Sequence, residues 1–595
     1  MANSRYDLVV IGSGPGGYVA AIRASQLKMK VAVIERDLPG GVCLNWGCIP
    51  SKALLNSAET MESIRGAGKE HGIEVGEIKL DFKRVIARSR EAADKLSKGV
   101  RFLLKKNKVD YIEADATIAG PHTVTLRPAA GKAAPPAEAI EAERILIATG
   151  SGEKLFPGMA IGDGVMTSRE ALIHDHLPAS VVIIGAGAIG AEFGYFYRAF
   201  GAKVTIVELE KQMLPGFDAE IAEELRRAFV KRGTKVLLGH GFKSMTRIRP
   251  SNGGGNSGSG GEGSDGAGEV IGKAGGWSVE LDASGTPKTI EAEAVLLAVG
   301  RNPLSVELGL DKIGVEADRG YIKIDDSFRT ACPSVYAIGD VARPPLLAHK
   351  VSAEGVAAVE IMAGIREPGF DLLSIPGCIY CEPEVAMVGL SETQARERGI
   401  EVKVGKIPFR SNGKAVAINQ TEGFVKIVAS KEFGEVIGCQ IIGHHATDLI
   451  GEIVLGRTLE ATTAELGHSV HPHPTLSESI MEAALAAEDA RLHARARIAG
   501  RGGRGSDSRR DWRRADPAGT SSGLYARARS RRGLHQKRGY RVSGGTGPSG
   551  VPRRAGDVSR AGAVSWISNC KTRWGEARRF AVSAEARAGV DRRVI

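Results

Sequence analysis

Residues 6–17 carry the sequence Tyr-Asp-Leu-Val-Val-Ile-Gly-Ser-Gly-Pro-Gly-Gly, which determines how the chain begins to fold. The first six of these residues predict a buried strand, which leads through the glycines into a helix. A second strand follows at Val31–Ile34, and Glu35 ends it. Such glycines permit a tight turn on which a pyrophosphate can rest at the helix N-terminus, while the acid accepts ribose hydroxyl groups. The glycines of this predicted dinucleotide site are Gly12, Gly14 and Gly17.

The same arrangement occurs again later in the chain. Val181–Ile184 and Val204–Val207 predict strands on either side of a glycine turn and a helix, and Glu208 follows the second strand. In both copies the acid stands 23 residues after the first glycine. One glycine turn is weak evidence, because any α/β protein can contain one, but two copies in register predict two dinucleotide sites. The turn glycines of the second copy are Gly185, Gly187 and Gly190.

A pair of cysteines lies between the two glycine motifs. Residues 40–52 have the sequence Gly-Gly-Val-Cys-Leu-Asn-Trp-Gly-Cys-Ile-Pro-Ser-Lys. Such a pair could be half of a metal site or an ordinary structural disulfide. In a regular helix, Cα atoms five positions apart are about 8–9 Å apart, whereas a disulfide needs about 4.4–6.8 Å. The backbone between Cys43 and Cys48 must therefore bend, and Gly47 is suited to that bend.

The residues after this pair favour redox chemistry. Pro50 fits the first turn of a helix but not its interior, so we expect a helix to begin just after Cys48. The helix N-terminus and Lys52 would both stabilise a thiolate at Cys48. A disulfide that closes a small bent loop is labile, and a flavin can pass electrons between it and a nicotinamide. The sequence therefore predicts FAD in the first site.

The acid of the second site indicates which dinucleotide binds there. Because Glu208-Leu-Glu210 is acidic where a 2′-phosphate would need Arg or Lys, the sequence predicts NAD in the second site.

Further stretches complete this picture. Residues 145–150 and 295–301 predict paired closing strands of the two nucleotide folds, and 334–340 predicts a strand that ends in an acid. A glycine-rich stretch begins at residue 251, where we expect it to lengthen a hairpin, and 129–139 is a shorter insertion of similar kind.

The positive charge of the chain is concentrated at its end. The net charge is +11, but residues 491–595 contain 26 basic and 7 acidic residues, so residues 1–490 carry a net charge of −8. We therefore expect no nucleic-acid role for residues 1–490, and we expect the basic tail to be largely disordered.

Composition also indicates the cellular compartment. Seven scattered cysteines are too few for a secreted disulfide framework and indicate a cytoplasmic protein. The sequence has no apolar run long enough for a membrane span, and we expect no signal or transit segment. We also expect no metal site. Cys378-Ile-Tyr-Cys381 has no second Cys or His pair, and alternation along a strand would place its two thiols on opposite faces.

Taken together, these motifs resemble those of the class I pyridine nucleotide–disulfide oxidoreductases, and within that family they are most similar to the dihydrolipoyl dehydrogenases. The resemblance covers about residues 1–490 and depends most on the cysteine motif and on His471-Pro-His-Pro-Thr-Leu-Ser-Glu478. It implies an α/β fold with two Rossmann-like domains that bind FAD and NAD, followed by a C-terminal α+β dimerisation domain of a homodimer. The implied segments are 1–150 (FAD domain), 151–300 (NAD domain), 301–365 (central domain completing the FAD site), 366–490 (interface domain) and 491–595 (disordered basic tail).

The resemblance also implies roles for individual residues. Cys43 corresponds to the thiol that meets the substrate and Cys48 to the thiolate against the flavin, while Lys52 pairs with Glu192 beside the flavin N5. The implied substrate is the dihydrolipoyl group on lipoyl domains of 2-oxoacid dehydrogenase or glycine cleavage complexes. The other implied cofactor residues are Thr149, Gly150, Asp340 and Ala348 for FAD and Gly300 for NAD.

The resemblance implies that His473, delivered from the other subunit, is the acid–base residue and that Glu478 orients it. The local sequence agrees, because flanking prolines hold His473 in an extended backbone and a carboxylate can set the tautomer of an imidazole near a thiol. Thr475-Leu-Ser-Glu478 also matches a helix capping box, and the two roles of Glu478 do not exclude each other. The histidines that we expect to be structural or surface residues are His468 and His471.

Several alternatives remain open from the sequence. A glutathione reductase would need basic residues near the second ribose. Mercuric reductases and large thioredoxin reductases need a second Cys (or selenocysteine) pair at the C-terminus, where this chain has only Cys570. A binding role of the basic tail on nucleic acid or a membrane is an alternative of another class. For the tail we favour a non-functional extension, such as a shifted reading frame.

Overall fold

The structure is a computed structural model that describes residues 5–249, 275–283, 286–490 and 492 of the chain. The predicted basic tail, apart from Leu492, and most of the glycine-rich stretch lie outside the described residues.

The first part of the chain builds a largely parallel sheet with helices against it. Its strands follow the order β3-β2-β1-β6-β5-β4, and β1 pairs in parallel with both β2 and β6. Alternate residues of β1 enter two different hydrophobic cores, so its last four residues, 8–11, form an uninterrupted apolar run. The elements are β1 (Arg5–Ile11), α1 (Pro15–Gln26), β2 (Val31–Glu35), α2 (Gly41–Trp46), α3 (Cys48–His71), α4 (Phe82–Lys106), β3 (Asp110–Glu113), β4 (Asp115–Gly120), β5 (Thr123–Arg127), β6 (Ala139–Ile147) and β7 (Ser151–Glu153).

A second parallel sheet follows, with the strand order β11-β10-β9-β15-β8. The antiparallel strands β12, β13 and β14 form a separate sheet, and the pairing of β12 with β13 confirms the hairpin predicted around the glycine-rich stretch. The elements are β8 (Val165–Met166), α5 (Ser168–Ala171), β9 (Ser180–Ile184), α6 (Ala188–Phe200), β10 (Lys203–Glu208), α7 (Ala219–Lys231), β11 (Lys235–Leu238), β12 (Gly241–Ile248), β13 (Gly276–Ala283), β14 (Thr286–Ala292), β15 (Ala294–Leu297) and β16 (Arg301–Pro303).

The glycine turns of the two parallel sheets make equivalent backbone hydrogen bonds. The N–H of Gly12 donates to the carbonyl O of Ile34 over 2.8 Å, and the N–H of Gly185 donates to that of Val207 over 2.7 Å. In each case the turn after the first strand is attached to the end of the second. The repeat predicted from the sequence is therefore a repeat of local geometry as well.

The chain then returns to the first sheet. Its next elements are β17 (Ala317–Asp318), β18 (Tyr321–Ile322), β19 (Val335–Ala337) and α8 (Ala348–Met362). Strand β19 pairs in parallel with β6. This pairing places Asp340, which lies just beyond the end of β19, at the same sheet edge as the first glycine turn. Helix α8 packs closely on α1, because a Cβ added at Gly355 would lie 2.6 Å from the carbonyl O of Gly16.

The C-terminal part is an antiparallel sheet covered by helices. Its strand order is β20-β21-β24-β23-β22, and its core includes apolar residues of α11 and α13. The elements are β20 (Gly377–Ile379), β21 (Glu384–Gly389), α9 (Glu392–Glu397), β22 (Val402–Pro408), α10 (Gly413–Ala417), β23 (Phe424–Ser430), β24 (Val436–Gly443), α11 (Ala446–Thr458), α12 (Thr463–His468) and α13 (Glu478–Ala487).

The predicted fold class is confirmed for the described part of the chain, which contains two Rossmann-like sheets and a C-terminal α+β unit. Among the helices described, none has the length and apolar character that crossing a membrane requires.

Candidate active site

A cavity of about 670 Å³ lies at the carboxyl ends of the first parallel sheet. This edge is where open α/β sheets bind their ligands. Residues from distant parts of the chain meet there, including most of those predicted for the first nucleotide and the redox pair. The predicted residues that line the cavity are Gly12, Gly14, Glu35, Cys43, Cys48, Lys52, Thr149, Gly150, Glu192, Asp340 and Ala348.

The glycines of the first motif differ in what a Cβ atom would contact at each position. Gly12 has a φ of +102°, and a Cβ there would lie 2.4 Å from the carbonyl O of Ala148. A Cβ at Gly17 would lie 1.9 Å from the carbonyl O of Gly12. At Gly14, by contrast, a Cβ would meet nothing within 4 Å, because this glycine borders the cavity. The open space at the N-terminus of α1 fits a pyrophosphate.

The glycines of the second motif have the same three kinds of surroundings. Gly185 has a φ of +108°, and its Cβ would lie 2.3 Å from the carbonyl O of Ala298. A Cβ at Gly190 would lie 1.9 Å from the carbonyl O of Gly185, whereas one at Gly187 would meet nothing within 4 Å. Gly300 has a φ of +103° and also borders open space. The second turn therefore has the same room for a pyrophosphate as the first.

The two strand-end acids are fixed by N–H groups. Oε2 of Glu35 accepts hydrogen bonds from both the N–H and the hydroxyl of Ser13, each over 2.8 Å. Glu208 accepts the N–H of Ala186 over 2.7 Å and that of Glu210 over 2.9 Å. These bonds aim each carboxylate beside its glycine turn, where a ribose would lie. Ser13 was not among the residues predicted from the sequence, although its position between two motif glycines could have indicated it.

The cysteine pair spans a break between two helices. Helix α2 ends at Trp46 and α3 begins at Cys48, while Gly47 between them has φ −153° and ψ −114°. Both the predicted bend and the predicted helix start are therefore present. Cys43 and Cys48 are free thiols joined by a side-chain hydrogen bond. This bond raises the pKa of Cys43 well above its ordinary value and lowers the pKa of Cys48 to about 7, with further help from Lys52.

An ion pair with Glu192 holds the ammonium group of Lys52, which lies near Cys48. Lys52 Nζ donates to both carboxylate oxygens of Glu192, each over 2.9 Å. Burial alone would lower the pKa of Lys52, but Glu192 and the two thiols raise it above the ordinary value. The ammonium group therefore persists across the neutral pH range. Lys52 belongs to α3 and Glu192 to α6, so the pair joins the two nucleotide-binding parts at the cavity wall.

Asp340 is supported by residues that were not predicted from the sequence. The hydroxyl of Ser151 donates to Asp340 Oδ2 over 2.7 Å, and Nε of Arg301 donates to the same hydroxyl oxygen over 2.9 Å. The N–H of Gly339 donates to the fully buried Glu354 over 2.8 Å. Burial raises the pKa of Asp340, and the Ser151 hydrogen bond partly offsets that rise. The available signal in the sequence was Glu354, the single charged residue in the stretch 351–359.

The predicted acid–base pair, His473 and Glu478, lies on the C-terminal unit. His473 Nδ1 lies 2.9 Å from Oε1 of Glu478, whose other oxygen accepts the N–H of Thr475 over 2.9 Å. Glu478 thus contacts the imidazole and the backbone before α13 at the same time. The His473 side chain is 78% exposed, and among the described residues of this chain it does not line the cavity that contains the cysteines.

The residues expected to be structural behave differently from His473. The ring of His471 is 7% exposed and lies 2.8 Å from Glu452, and His468 contacts a backbone carbonyl of its own helix.

The Cys378–Cys381 pair is divided between two hydrophobic cores. Cys378 packs against the C-terminal core, whereas Cys381 belongs to the core around the second sheet, so the two thiols point into different regions. Within the described ranges, no group of three His, Cys, Asp or Glu side chains could hold a metal ion.

Comparison with known proteins gives the family. Residues 6–355 match the model described as pyridine nucleotide-disulphide oxidoreductase, and residues 375–484 match the dimerisation domain of the same family. The chain belongs to this family. A dihydrolipoyl dehydrogenase from Rhizobium etli is 41% identical over 499 residues, covering 82% of this chain and 98% of the relative. One from Bacillus subtilis is 38% identical over 498 residues, covering 82% and 99%. A mitochondrial one from Pisum sativum is 39% identical over 490 residues, covering 82% and 92%.

Solved structures agree with this family. The crystal structure of LpdA from Mycobacterium tuberculosis matches with a TM-score of 0.71 and 27% identity, over 81% of this chain and 99% of that one. The flavoprotein disulfide reductase RclA from Escherichia coli, at 23% identity and a TM-score of 0.67, shares the fold. This chain is therefore an oxidoreductase that uses FAD and NAD, and it forms a homodimer through its dimerisation domain. The open glycine turns and the fixed acids fit both dinucleotides.

The paired glycines of the NAD turn give a stability prediction. Gly190→Ala forces a Cβ against a backbone carbonyl and should destabilise the fold by about 1–3 kcal/mol. Gly187→Ala, the matched control, meets no protein atom and should keep the same thermal midpoint. It should nevertheless weaken NAD binding, because its methyl group fills the space of the pyrophosphate. Calorimetric unfolding and NAD titration measure the two effects, and equal loss of stability in both variants would contradict this account.

The cysteine environment gives a pH prediction for the reduced enzyme. Cys48 should be neutral below about pH 6 and should become a thiolate as the pH rises through about 7. One thiolate should therefore appear near pH 7, and Cys43 should not add a second until far higher pH, because its pKa is raised. Lys52→Met should move this midpoint upward by about 1 unit or more, and the exposed Lys431→Met should leave it unchanged. A wild-type midpoint near the free-thiol value of about 8.5 would contradict the assignment.

Proposed function

We propose that this enzyme oxidises dihydrolipoyl groups carried by protein partners, with a disulfide between Cys43 and Cys48 as the electron acceptor from the substrate and NAD⁺ as the final acceptor. The observation that carries the proposal is the low-pKa thiol Cys48 beside the Lys52–Glu192 ion pair on the wall of the FAD cavity. The curated relatives named dihydrolipoyl dehydrogenase support the substrate class.

The different proton affinities of the two thiols support a division of labour. When a thiolate attacks a disulfide, the thiol with the lower pKa is the better leaving group. Attack of a substrate thiolate on Cys43 Sγ therefore breaks the Cys43–Cys48 bond and releases Cys48 as a thiolate that faces Lys52. The second substrate thiol then attacks the substrate sulfur of the mixed disulfide. That step closes the lipoyl ring and releases Cys43 as a thiol.

His473 is the proposed base for these steps. Its Nε2 accepts the proton of the attacking substrate thiol, and Glu478 holds Nδ1 so that Nε2 is the acceptor. The proton returns to Cys43 as that residue leaves, and the proton of the second substrate thiol goes to solvent. His473 is exposed on its own chain, which supports the proposal that it serves the cysteines of the partner subunit in the homodimer.

The cofactors complete the electron transfer. FAD, when bound in the cavity beside Cys48, would supply the electron transfer between the reduced cysteines and NAD⁺. The residues proposed to hold FAD are Gly12, Gly14, Gly17, Glu35, Lys52, Thr149, Gly150, Asp340 and Ala348, and those proposed to hold NAD are Gly185, Gly187, Gly190, Glu208 and Gly300.

The proposed partners are the lipoyl domains of 2-oxoacid dehydrogenase or glycine cleavage complexes, which carry the dihydrolipoyl groups. We propose a cytoplasmic location, which the small number of scattered cysteines supports.

A subunit-mixing experiment tests the proposed site. Cys43→Ser and His473→Gln homodimers should each lose nearly all dihydrolipoamide turnover while they retain FAD. If each site takes its histidine from the partner, a heterodimer of the two variants has one intact site. A mixture of equal parts, dissociated and reassembled, should therefore recover roughly a quarter of wild-type activity, because about half of the dimers are mixed and each has one of two sites.

The control for this experiment is Cys43→Ser mixed with a Cys43→Ser, His473→Gln double variant, which has no intact site in any dimer and should stay inactive. No recovery in the first mixture would contradict a shared site. Loss of FAD by the Cys43→Ser homodimer would contradict the role of Cys43 in substrate exchange.

A further inference from the structure

The C-terminal sheet reaches the flavin cavity through residues 376–381, at its strand β20. The carbonyl O of Pro376 lies 2.7 Å from Nε2 of His349, and the N–H of Tyr380 donates to Glu192 over 3.2 Å. Cys378 and Tyr380 line the same cavity as the redox pair. This segment therefore contacts the site at several points, although its sequence motif attracted no functional assignment.

Tyr380 contacts both members of the ion pair that faces Cys48. Lys52 Nζ lies 4.3 Å from the centroid of the Tyr380 ring, while the backbone of the same tyrosine donates to Glu192. A cation over an aromatic face is attracted by the ring, and the attraction is stronger when the cation is desolvated. Lys52 is thus held between a carboxylate and a ring face, and the ring restricts where its ammonium group can lie.

We propose that Tyr380 is a positioning residue that holds the Lys52 ammonium group against Cys48 and thereby keeps Cys48 ionised in the reduced enzyme. The inference rests on the proposed role of Cys48 as the electron donor to FAD. It assigns the C-terminal unit a part in the redox chemistry of the same chain, separate from dimerisation and from His473.

The charges around Cys48 determine the direction of the effect. Cys43 and Lys52 stabilise its thiolate, whereas Glu192 opposes ionisation. The groups that face Tyr380 itself are Lys52, Cys48, Glu192, Cys378 and Glu384. If the ring is removed, Lys52 can move away from the thiol while the Glu192 carboxylate stays hydrogen-bonded to the backbone of residue 380. Cys48 should then bind its proton more tightly.

The test is a pH titration of the reduced holoenzyme. A thiolate against flavin gives a long-wavelength absorption band, so the band height against pH reports the ionisation of Cys48. Tyr380→Phe keeps the ring and should titrate like wild type. Tyr380→Leu should shift the midpoint upward by about half a pH unit or more, which is roughly a threefold loss of thiolate below the midpoint. In a Lys52→Met background, Tyr380→Leu should give no further shift.

Several results would overturn the proposal: an unshifted Tyr380→Leu midpoint, an equal shift in Tyr380→Phe, or a shift of full size in the Lys52→Met background. If Tyr380→Leu does not retain FAD, Tyr380→Met replaces it. Loss of FAD from both aliphatic variants would assign Tyr380 to the integrity of the cavity and would also overturn the proposal. Failure of the proposed function is a separate outcome, because it would remove the band from the wild-type enzyme.

Discussion

The ion pair between Lys52 and Glu192 is the interaction on which the rest of the site depends. It joins a helix of the FAD-binding part to a helix of the NAD-binding part, and Tyr380 adds a contact from the C-terminal unit. The Glu192 side chain is 8% exposed and that of Lys52 is 33% exposed, so each charge requires the other to offset lost hydration. Three parts of the chain must therefore dock correctly before Cys48 experiences a lasting positive charge.

This charge gives a physical reason for the unequal chemistry of two cysteines in one short loop. The hydrogen bond between the thiols can favour only one thiolate, and Lys52 lies on the side of Cys48. In the proposed cycle Cys48 is thus the better leaving group and the better electron donor, while Cys43 is the residue that exchanges with a substrate thiol. The break at Gly47 is what allows the side chains to meet, since a continuous helix would separate them.

Much of the fold and the site could be predicted because the signals are local. The positive φ of Gly12 and the close approach of Gly17 to Gly12 arise within one turn. Both recur at Gly185 and Gly190, so a spacing rule captures them. Tyr380 and the supports of Asp340 could not be found in this way, since their partners are far away in sequence and only the assembled sheets bring them together. His473 was identified by resemblance. On a single chain its side chain contacts Glu478 but is exposed, and it does not line the cavity that contains the cysteines.

The central claim is that electrons enter at Cys43, leave from Cys48 and pass through FAD. Anaerobic titration of the wild-type holoenzyme with dihydrolipoamide, followed by its absorption spectrum, tests this claim most directly. The account predicts that the first equivalent per FAD produces the long-wavelength thiolate–flavin band while most of the oxidised flavin absorbance remains, and that NAD⁺ then removes the band. Bleaching of the flavin without that band, or a protein without flavin, would contradict it.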